Sequence, residues 1–286
     1  MSSMVRYRYF PGCSLHSTAA EYDRSFRAVF SRLGLVVEEL TDWNCCGSNP
    51  LHGTDPILSL ALPYRNLNIA SRAGGGALVV PCASCYARLK VARHQVAEQP
   101  GVRRRVEKVL DEPCAGDVEV LHPLEVLLRE FKPETLAGKI SRPLRGLKVA
   151  CYYGCLLTRP PGVMRFDDAE YPRSMDLLLK AAGCDPVDWS HKTECCGASL
   201  TLTDPARVRE LVAPVVEDAR ACGAVAIAAA CPLCQSNLET RQAEQDPIPV
   251  LYFTQLLGLA LGMGPEELGL DRLLIDPLPV IVKYLA

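Results

Sequence analysis

The sequence predicts an α/β protein built from two tandem, similar domains that arose by internal duplication. Three observations predict this class. Strand-like and helix-like segments alternate, their order is written twice, and each copy contains Cys-Cys-Gly, at Cys45–Gly47 and at Cys195–Gly197. Alternating strands and helices favour parallel sheets with helical crossovers. We expect the first domain at residues 1–143 and the second at 144–286.

Each copy opens with a short strand that stops at Gly-Cys. "RYRYFPGC" ends at Cys13, and "LKVACYYGC" ends at Cys155. An amphipathic helix, a glycine stop and a second strand are predicted next, in "YDRSFRAVFSRLGLVVEEL" and "YPRSMDLLLKAAGCDPV". A tryptophan, Trp43 or Trp189, then precedes the Cys-Cys-Gly motif. We expect both indoles to pack beside the cysteine loops.

The second part of each copy predicts a buried strand, a Cys-x-x-Cys motif and a helix, in "GGGALVVPCASCYARL" and "CGAVAIAAACPLCQSNLE". "LHPLEVLL" and "IPVLYFTQLL" then match each other. The polar stretch Glu134–Gly146 suits a linker between the copies. The apolar tract Val250–Gly264 has 15 residues, fewer than the roughly 20 that span a bilayer. It predicts a buried helix and not a membrane span.

Composition excludes several classes of function. Hydrophobic residues make up 49% of the chain, as in a soluble globular protein, and the net charge of -2 offers no basic surface for nucleic acid. The N-terminus lacks the order of segments of a secretory signal, so we expect a cytoplasmic protein. In that reducing compartment, 14 cysteines indicate metal ligation or redox chemistry and not disulfides.

Ten of the cysteines form two arrays of five with similar spacing. In each array a single cysteine precedes the adjacent pair by 31 or 39 residues, and Cys-x-x-Cys follows the pair after 35 or 34. The expected metal ligands are Cys13, Cys45, Cys46, Cys82 and Cys85 in the first half, and Cys155, Cys195, Cys196, Cys231 and Cys234 in the second.

Five thiolates exceed the four that a structural zinc ion or a cubane cluster takes. Strand ends of a parallel sheet meet at one edge, so each array can converge on a larger or less symmetric centre. Two alternatives stay open at this point. Each array can hold a zinc ion with one spare cysteine, or the Cys-x-x-Cys pairs can be thioredoxin-type redox dithiols.

The other four cysteines have no counterparts in the opposite half. They are Cys114, Cys151, Cys184 and Cys222. Apolar surroundings predict that Cys151 and Cys222 are small core residues.

Four further polar residues lie near the motifs. His16 and His191 stand three and four residues from an array cysteine, where a polar loop role is favoured over ligation. Arg24 and Arg173 occupy matched "RS" positions. Each can contact an anionic substrate, face solvent or join the domains.

The two C-x31-CC-x35-C-x2-C-like arrays, together with "PVLYFTQLLGLALG", resemble the catalytic B subunit of heterodisulfide reductases along essentially the whole chain. The resemblance implies that each array holds a noncubane [4Fe-4S] cluster. It also implies that the two clusters together reduce a small disulfide linking two thiol coenzymes. The wider family includes iron–sulfur subunits of glycolate oxidases and unusual succinate dehydrogenases.

The implied partners are a ferredoxin-like subunit with two cubane clusters and a flavin-bearing subunit, because the sequence lacks a C-x2-C-x2-C-x3-C-P run of its own. Two other functions remain open. One is an electron-transfer subunit of a dehydrogenase or quinone-linked reductase that binds no disulfide. The other is a zinc-stabilised interaction protein.

Overall fold

The computed structural model describes residues 5–48, 51–243 and 245–285, the side chains of 51 and 52 excepted, and contains two four-stranded parallel sheets. The strand orders are β2-β1-β3-β4 and β6-β5-β7-β8, so the duplicated α/β fold class is confirmed. The strands are β1 Val5–Tyr9, β2 Leu35–Glu39, β3 Gly76–Val79, β4 Val118–Leu121, β5 Lys148–Tyr152, β6 Asp185–Pro186, β7 Ala226–Ala229 and β8 Val250–Tyr252.

Helices connect the strands, as parallel pairing requires. The helices Ala20–Arg32 and Ser174–Ala181 follow the two predicted amphipathic segments, whereas the long helices Leu58–Arg72 and Pro205–Ala221 were not predicted. Several loop helices have only four or five residues. The helices are α1 Gly12–Leu15, α2 Ala20–Arg32, α3 Leu51–Thr54, α4 Leu58–Arg72, α5 Ala83–Glu98, α6 Pro100–Leu110, α7 Pro123–Glu130, α8 Pro133–Ala137, α9 Pro161–Met164, α10 Ser174–Ala181, α11 Pro205–Ala221, α12 Pro232–Arg241, α13 Phe253–Ala260 and α14 Leu278–Ile281.

The strand order places a topological switch point in each half. From β1 the chain crosses to β2 on one side and then to β3 on the other, and β5 relates to β6 and β7 in the same way. At such a point the loops leave the carboxyl ends of two neighbouring strands in opposite directions and open a crevice. A crevice of the kind that binds ligands is therefore expected beyond the central strands of each sheet.

The two halves exchange matched helix contacts. Helix α2 packs against α13, and the corresponding helix α10 packs against α7. Between α2 and α13 the Ser25 and Thr254 hydroxyls are 2.7 Å apart, and the rings of Tyr22 and Tyr252 stack at 4.1 Å. The reciprocal contacts are those of a pseudo-twofold arrangement.

The expected linker is packed against the second half. Helix α8 occupies its beginning, Leu144 is buried, and the N–H groups of Ser141 and Arg142 both donate to the carbonyl of Ala260. The buried Leu144 anchors this polar stretch, which is therefore fixed in place and is not a free linker.

The apolar tract near the C-terminus forms α13, whose residues are all buried, as predicted. No helix in the described part of the chain is both long and apolar enough to cross a membrane. Cys151 is fully buried, as predicted, and Cys114 and Cys184 are buried too. The prediction for Cys222 is confirmed only in part, because this residue packs against the core but is half-buried at the end of α11, beside Asp218.

Candidate functional site

The strand ends bring each array of five cysteines together. Cys13 lies in α1, directly after β1, and the Cys45–Cys46 pair lies in the loop after β2. Cys82 precedes α5, and Cys85 lies in its first turn. Because β1, β2 and β3 are parallel, these segments emerge at one edge of the sheet. The second array is placed in the same way by β5, β6 and β7.

In the first half the thiols form a row of neighbours. Cys46 Sγ lies 3.2 Å from Cys85 Sγ. Cys45 interacts with Cys13 on one side and Cys46 on the other, and Cys85 interacts with Cys82. Cys13 and Cys45 are exposed, whereas the other three are buried. The row thus runs from the surface into the molecule.

The second half repeats this row. Cys196 Sγ lies 3.5 Å from Cys234 Sγ, and Cys155 interacts with Cys195. The N–H of Gly197 donates to Cys195 Sγ at 3.4 Å. An amide aimed at sulfur stabilises negative charge there.

The two rows meet at their buried ends. The thiol of Cys82 interacts with the thiol of Cys231, which in turn interacts with Cys234. All ten predicted site residues therefore lie in one continuous region that crosses between the halves. Among the described residues, no three His, Cys, Asp or Glu side chains converge as they do around a single metal ion.

The residues before the two Cys-x-x-Cys motifs are held by the same pair of side chains. His122 Nε2 is 2.9 Å from the carbonyl oxygen of Pro81 and 3.1 Å from that of Ala230. The Tyr22 hydroxyl donates toward the same two oxygens at 3.4 and 3.5 Å. The His122 ring also accepts from Leu124 N at 3.3 Å, so its Nε2 carries the proton. We call His122 and Tyr22 the inter-half bridge.

Negative charge is favoured on the first cysteine of each adjacent pair. A hydrogen bond from Cys155 lowers the pKa of Cys195 to about 6. The pKa of Cys45 is lowered in the same way, chiefly by Cys13. A metal binds thiolates and displaces their protons. Closely spaced thiols that share protons are therefore suited to metal binding.

Two glycines leave room for the second sulfur atom of each Cys-x-x-Cys motif. A Cβ on Gly12 would lie 2.8 Å from Cys85 Sγ, and a Cβ on Gly154 would lie 2.9 Å from Cys234 Sγ. Both glycines have positive φ, +69° and +68°, which other residues rarely adopt. Glycine is therefore required at both positions for two reasons: the positive φ of the turn and the space that the sulfur atom occupies.

A cavity of about 240 Å³ opens beside the second array. All five cysteines of that array line it, together with Tyr153, Leu156, Ala198, Ser199 and Leu233. The first half contributes Ala83, Ser84 and Arg88 from α5. The cavity therefore lies between the halves and has access to sulfur.

The donor set fits iron–sulfur clusters. Thiolates are the ligands of such clusters, and each array offers five thiols that follow one another in a row. Gly12 and Gly154 place no side chain against the sulfur atoms of Cys85 and Cys234, and the cavity leaves space beside the second array. That these ten cysteines bind iron stays a prediction.

The other predicted residues lie outside the sulfur rows. His16 pairs with Glu39, and His191 with Asp218, both at 2.9 Å, so the polar loop role is supported for both. Arg24 and Arg173 are exposed, and neither lines the cavity.

The matched tryptophans differ in burial. The Trp43 indole packs edge-on against Phe10 at 5.5 Å and donates to Glu39. Trp189 is buried and donates to the carbonyl of Cys151. Each side chain thus anchors the strand or loop that leads into its cysteine pair.

Sequence reasoning missed Arg88 and both residues of the inter-half bridge. His122 could have been found, because "LHPLEVLL" and "LYFTQLLG" align it with Tyr252. Both residues cap a helix and form a capping box with the residue three positions later. Tyr22 and Arg88 carry no sequence signal of a role at the site.

Comparison with known proteins identifies the family. The cysteine-rich domain called CCG matches this chain twice, at residues 7–90 and 149–239. Each match includes one complete array of five cysteines.

Relatives align along nearly the whole chain. The B subunit of a CoB-CoM heterodisulfide reductase of Methanosarcina acetivorans, which depends on ferredoxin or F(420)H(2), is 30% identical over 98% of this chain and 97% of its own. A protein of Archaeoglobus profundus that is named as similar to the heterodisulfide reductase B subunit is 28% identical over 98% of both chains. The 8-methylmenaquinol:fumarate reductase membrane anchor subunit of Wolinella succinogenes is 30% identical over 94% of this chain and 97% of its own.

A solved structure shares the fold. The crystal structure of a hypothetical protein from Helicobacter pylori superposes with a TM-score of 0.73 at 15% identity. The match covers 93% of this chain and 51% of that one, so this chain spans about half the length of that protein. Two family matches, each with a full cysteine array, and near full-length relatives lead to one conclusion: this chain belongs to the cysteine-rich CCG-domain family and is related to the B subunit of heterodisulfide reductases.

Proposed function

We propose that this chain is the catalytic iron–sulfur subunit of a heterodisulfide reductase-like complex and reduces a small disulfide to two thiols. One observation carries the proposal. Two matched rows of five cysteines meet at Cys82 and Cys231, beside a cavity lined by both halves. The kinship with the B subunit of heterodisulfide reductases supports the same assignment.

The ten motif cysteines would hold two noncubane [4Fe-4S] clusters, one for each array. Cleavage of a disulfide to two thiols consumes two electrons and two protons. When bound, the clusters would supply the two electrons, because a single cluster usually transfers one. Two clusters, one for each array, would thus supply the two electrons that the reaction consumes.

The protein itself would bind and enclose the substrate. The cavity admits a small molecule to the sulfur row, and the inter-half bridge holds the starts of α5 and α12 at a set separation. Because the Cys-x-x-Cys thiols would serve as ligands, none would be free to attack the substrate as thioredoxin-type dithiols do. A protein–substrate mixed disulfide is therefore not expected.

We further propose that the chain works in the cytoplasm within a multisubunit complex. A ferredoxin-like subunit with two cubane clusters would deliver electrons from a flavin-bearing subunit. The names of two relatives, which mention ferredoxin and coenzyme disulfides, support this arrangement. Copurification of the chain with its natural partners tests it directly.

Metal analysis tests the cluster assignment. The chain purified without oxygen should contain about eight irons and a similar amount of acid-labile sulfide, four of each per cluster. Cys46→Ala and Cys196→Ala should each remove roughly half of the iron, with loss confined to the altered array. Cys114→Ala is the matched control, since Cys114 is buried outside both arrays. Two zinc ions per chain, or full iron in both array variants, would refute the assignment.

A second candidate is an electron-transfer subunit of a quinone-linked reductase. The relative in the Wolinella succinogenes menaquinol:fumarate reductase favours it. Mixing the reduced, cluster-loaded complex with either a small disulfide or a menaquinone analogue separates the two functions. Rapid reoxidation by the disulfide alone supports the first function, and reoxidation by the quinone alone supports the second.

A further inference from the structure

Arg88 places a half-buried cation at the cavity beside the second array. It lies in α5, one helical turn after Cys85, and lines the same cavity as the five cysteines of the second half. Its Nε atom is buried and has no hydrogen-bond partner among the described residues. Of the described residues that line the cavity, Arg88 alone carries a formal charge at neutral pH apart from the thiols themselves.

Burial of the Nε–H of this guanidinium is unfavourable unless something pairs with it. A guanidinium stays protonated in proteins, and burying a charge or a polar N–H without a partner costs free energy. Burial lowers the pKa of Arg88, and a nearby Cys46 thiolate opposes that shift. A buried group that lacks a partner at the edge of a cavity indicates a ligand that supplies one.

The second half shows that the arrays themselves do not require this cation. Arg88 follows Cys85 by three residues, and the residue in the same position after Cys234 is Asn237. The Asn237 amide donates to the carbonyl of Cys196 at 2.8 Å and accepts from Thr201 at 3.0 Å. One array is thus supported by a neutral, hydrogen-bonded side chain, whereas the counterpart position carries a cationic side chain that lines the shared cavity and whose buried Nε has no partner among the described residues.

We propose that Arg88 is a positioning residue for the substrate and that it selects small disulfides with an anionic group. This inference rests on the proposed function. The planar guanidinium forms paired hydrogen bonds with carboxylate, sulfonate or phosphate oxygens. Because Arg88 and the cysteines line one cavity of about 240 Å³, the anionic group must lie only a few bonds from the sulfur. Arg88 would then hold the molecule with its disulfide toward the sulfur row.

The test compares two disulfides of the same shape with the reduced, cluster-loaded chain. 3,3′-Dithiodipropionate is anionic, and its diamide is neutral. Arg88→Met and Arg88→Gln should raise KM for the diacid by roughly 10- to 100-fold, the loss of one charge-assisted contact. The KM for the diamide and kcat for both disulfides should change little. Arg88→Lys should retain part of the preference for the diacid, because lysine keeps the positive charge but cannot form the paired hydrogen bonds of a guanidinium.

Arg241→Met is the matched control. Arg241 also has a buried Nε atom without a partner among the described residues, but it does not line the cavity. Its substitution should leave the diacid-to-diamide ratio unchanged. Equal changes for both disulfides in the Arg88 variants, or no change for either, would overturn the inference.

Direct binding separates this inference from the proposed function. Calorimetric titration of the oxidised, cluster-loaded chain with 3-mercaptopropionate and its amide should show tighter binding of the acid, with the difference abolished in Arg88→Met. If the wild-type chain reduces neither disulfide but keeps this difference, the proposed reaction fails and the anion site stands. If it reduces both disulfides but binds acid and amide equally, the anion site fails and the reaction stands.

Discussion

Substituting leucine for His122 tests whether one imidazole ring holds the two cysteine turns together. The ring is fully buried and takes part in three hydrogen bonds, at 2.9, 3.1 and 3.3 Å. Leucine fills similar space but leaves the carbonyls of Pro81 and Ala230 with only the long contacts from Tyr22. It also leaves the N–H of Leu124 without its acceptor.

The expected loss of stability follows from these groups. Three hydrogen bonds at about 1 kcal/mol each, together with the penalty for leaving buried groups unpaired, give about 3–5 kcal/mol. For a chain of this size each kcal/mol lowers Tm by about 2–4 °C, so the variant should melt roughly 6–20 °C lower. Because Pro81 and Ala230 precede the cysteines of both halves, iron should also leave both arrays faster.

The assay is anaerobic thermal unfolding, followed by the rate of iron release to a chelator. His122→Gln is the matched control, since its amide can still donate to one carbonyl and should recover part of the loss. Tyr22→Phe removes only the longer contacts and should cost less than His122→Leu. An unchanged Tm in His122→Leu, or faster iron loss from one array alone, would refute the bridging role.

The same ring gives a pH dependence of defined sign. Burial lowers the pKa of His122 to about 4, whereas an unfolded histidine has a pKa of about 6.5. Between these values the unfolded chain binds a proton that the folded chain does not. Stability should therefore be fully present above pH 6.5 and decline by about 3 kcal/mol as the pH falls to 4. His122→Leu should lack this component of the decline, and identical pH profiles would contradict the reasoning.

Two further substitutions test the surroundings of the second array. Gly154→Ala should lower the iron content of that array, because the new Cβ would lie 2.9 Å from Cys234 Sγ, whereas Gly34→Ala, also at positive φ but with nothing within 4 Å, should keep full iron. Asp176→Asn should lower the free energy of unfolding by about 3–5 kcal/mol, since the carboxylate lies 2.7 Å from the buried Lys192 ammonium. Denaturant unfolding of Asp176→Asn, alone and combined with Lys192→Met, measures this loss. If the uncompensated ammonium is the cause, the double variant should regain part of the lost stability, and no regain would contradict that explanation.

The duplicated fold and the cysteine arrays were predictable because both depend on repeated local patterns. Each predicted strand and each Cys-Cys-Gly motif has a partner at a matching place in the other half, so one copy supports the interpretation of the other. Parallel topology then requires the strand ends to meet. The convergence of Cys13 with Cys45 and of Cys155 with Cys195 follows from that requirement.

What joins the halves could not be predicted from those patterns. Tyr22 and His122 form their hydrogen bonds to backbone carbonyls of both halves, and a backbone acceptor leaves no trace in residue identity. Arg88 lies between other residues of an ordinary helix, and only its missing partner distinguishes it. The buried anchors Leu136 and Leu144 are isolated apolar residues in a polar stretch, too sparse a signal for periodicity.

The reciprocal packing of α2 with α13 and of α10 with α7 has a consequence for how the molecule evolved. A single ancestral copy would have formed these contacts with a second copy of itself, as an isologous homodimer. In such a dimer every substitution appears on both sides of the axis. Fusion into one chain removed that constraint. The two halves could then differ at matched positions, with arginine at residue 88 and asparagine at 237, and of these two side chains only Arg88 lines the shared cavity, which is therefore asymmetric.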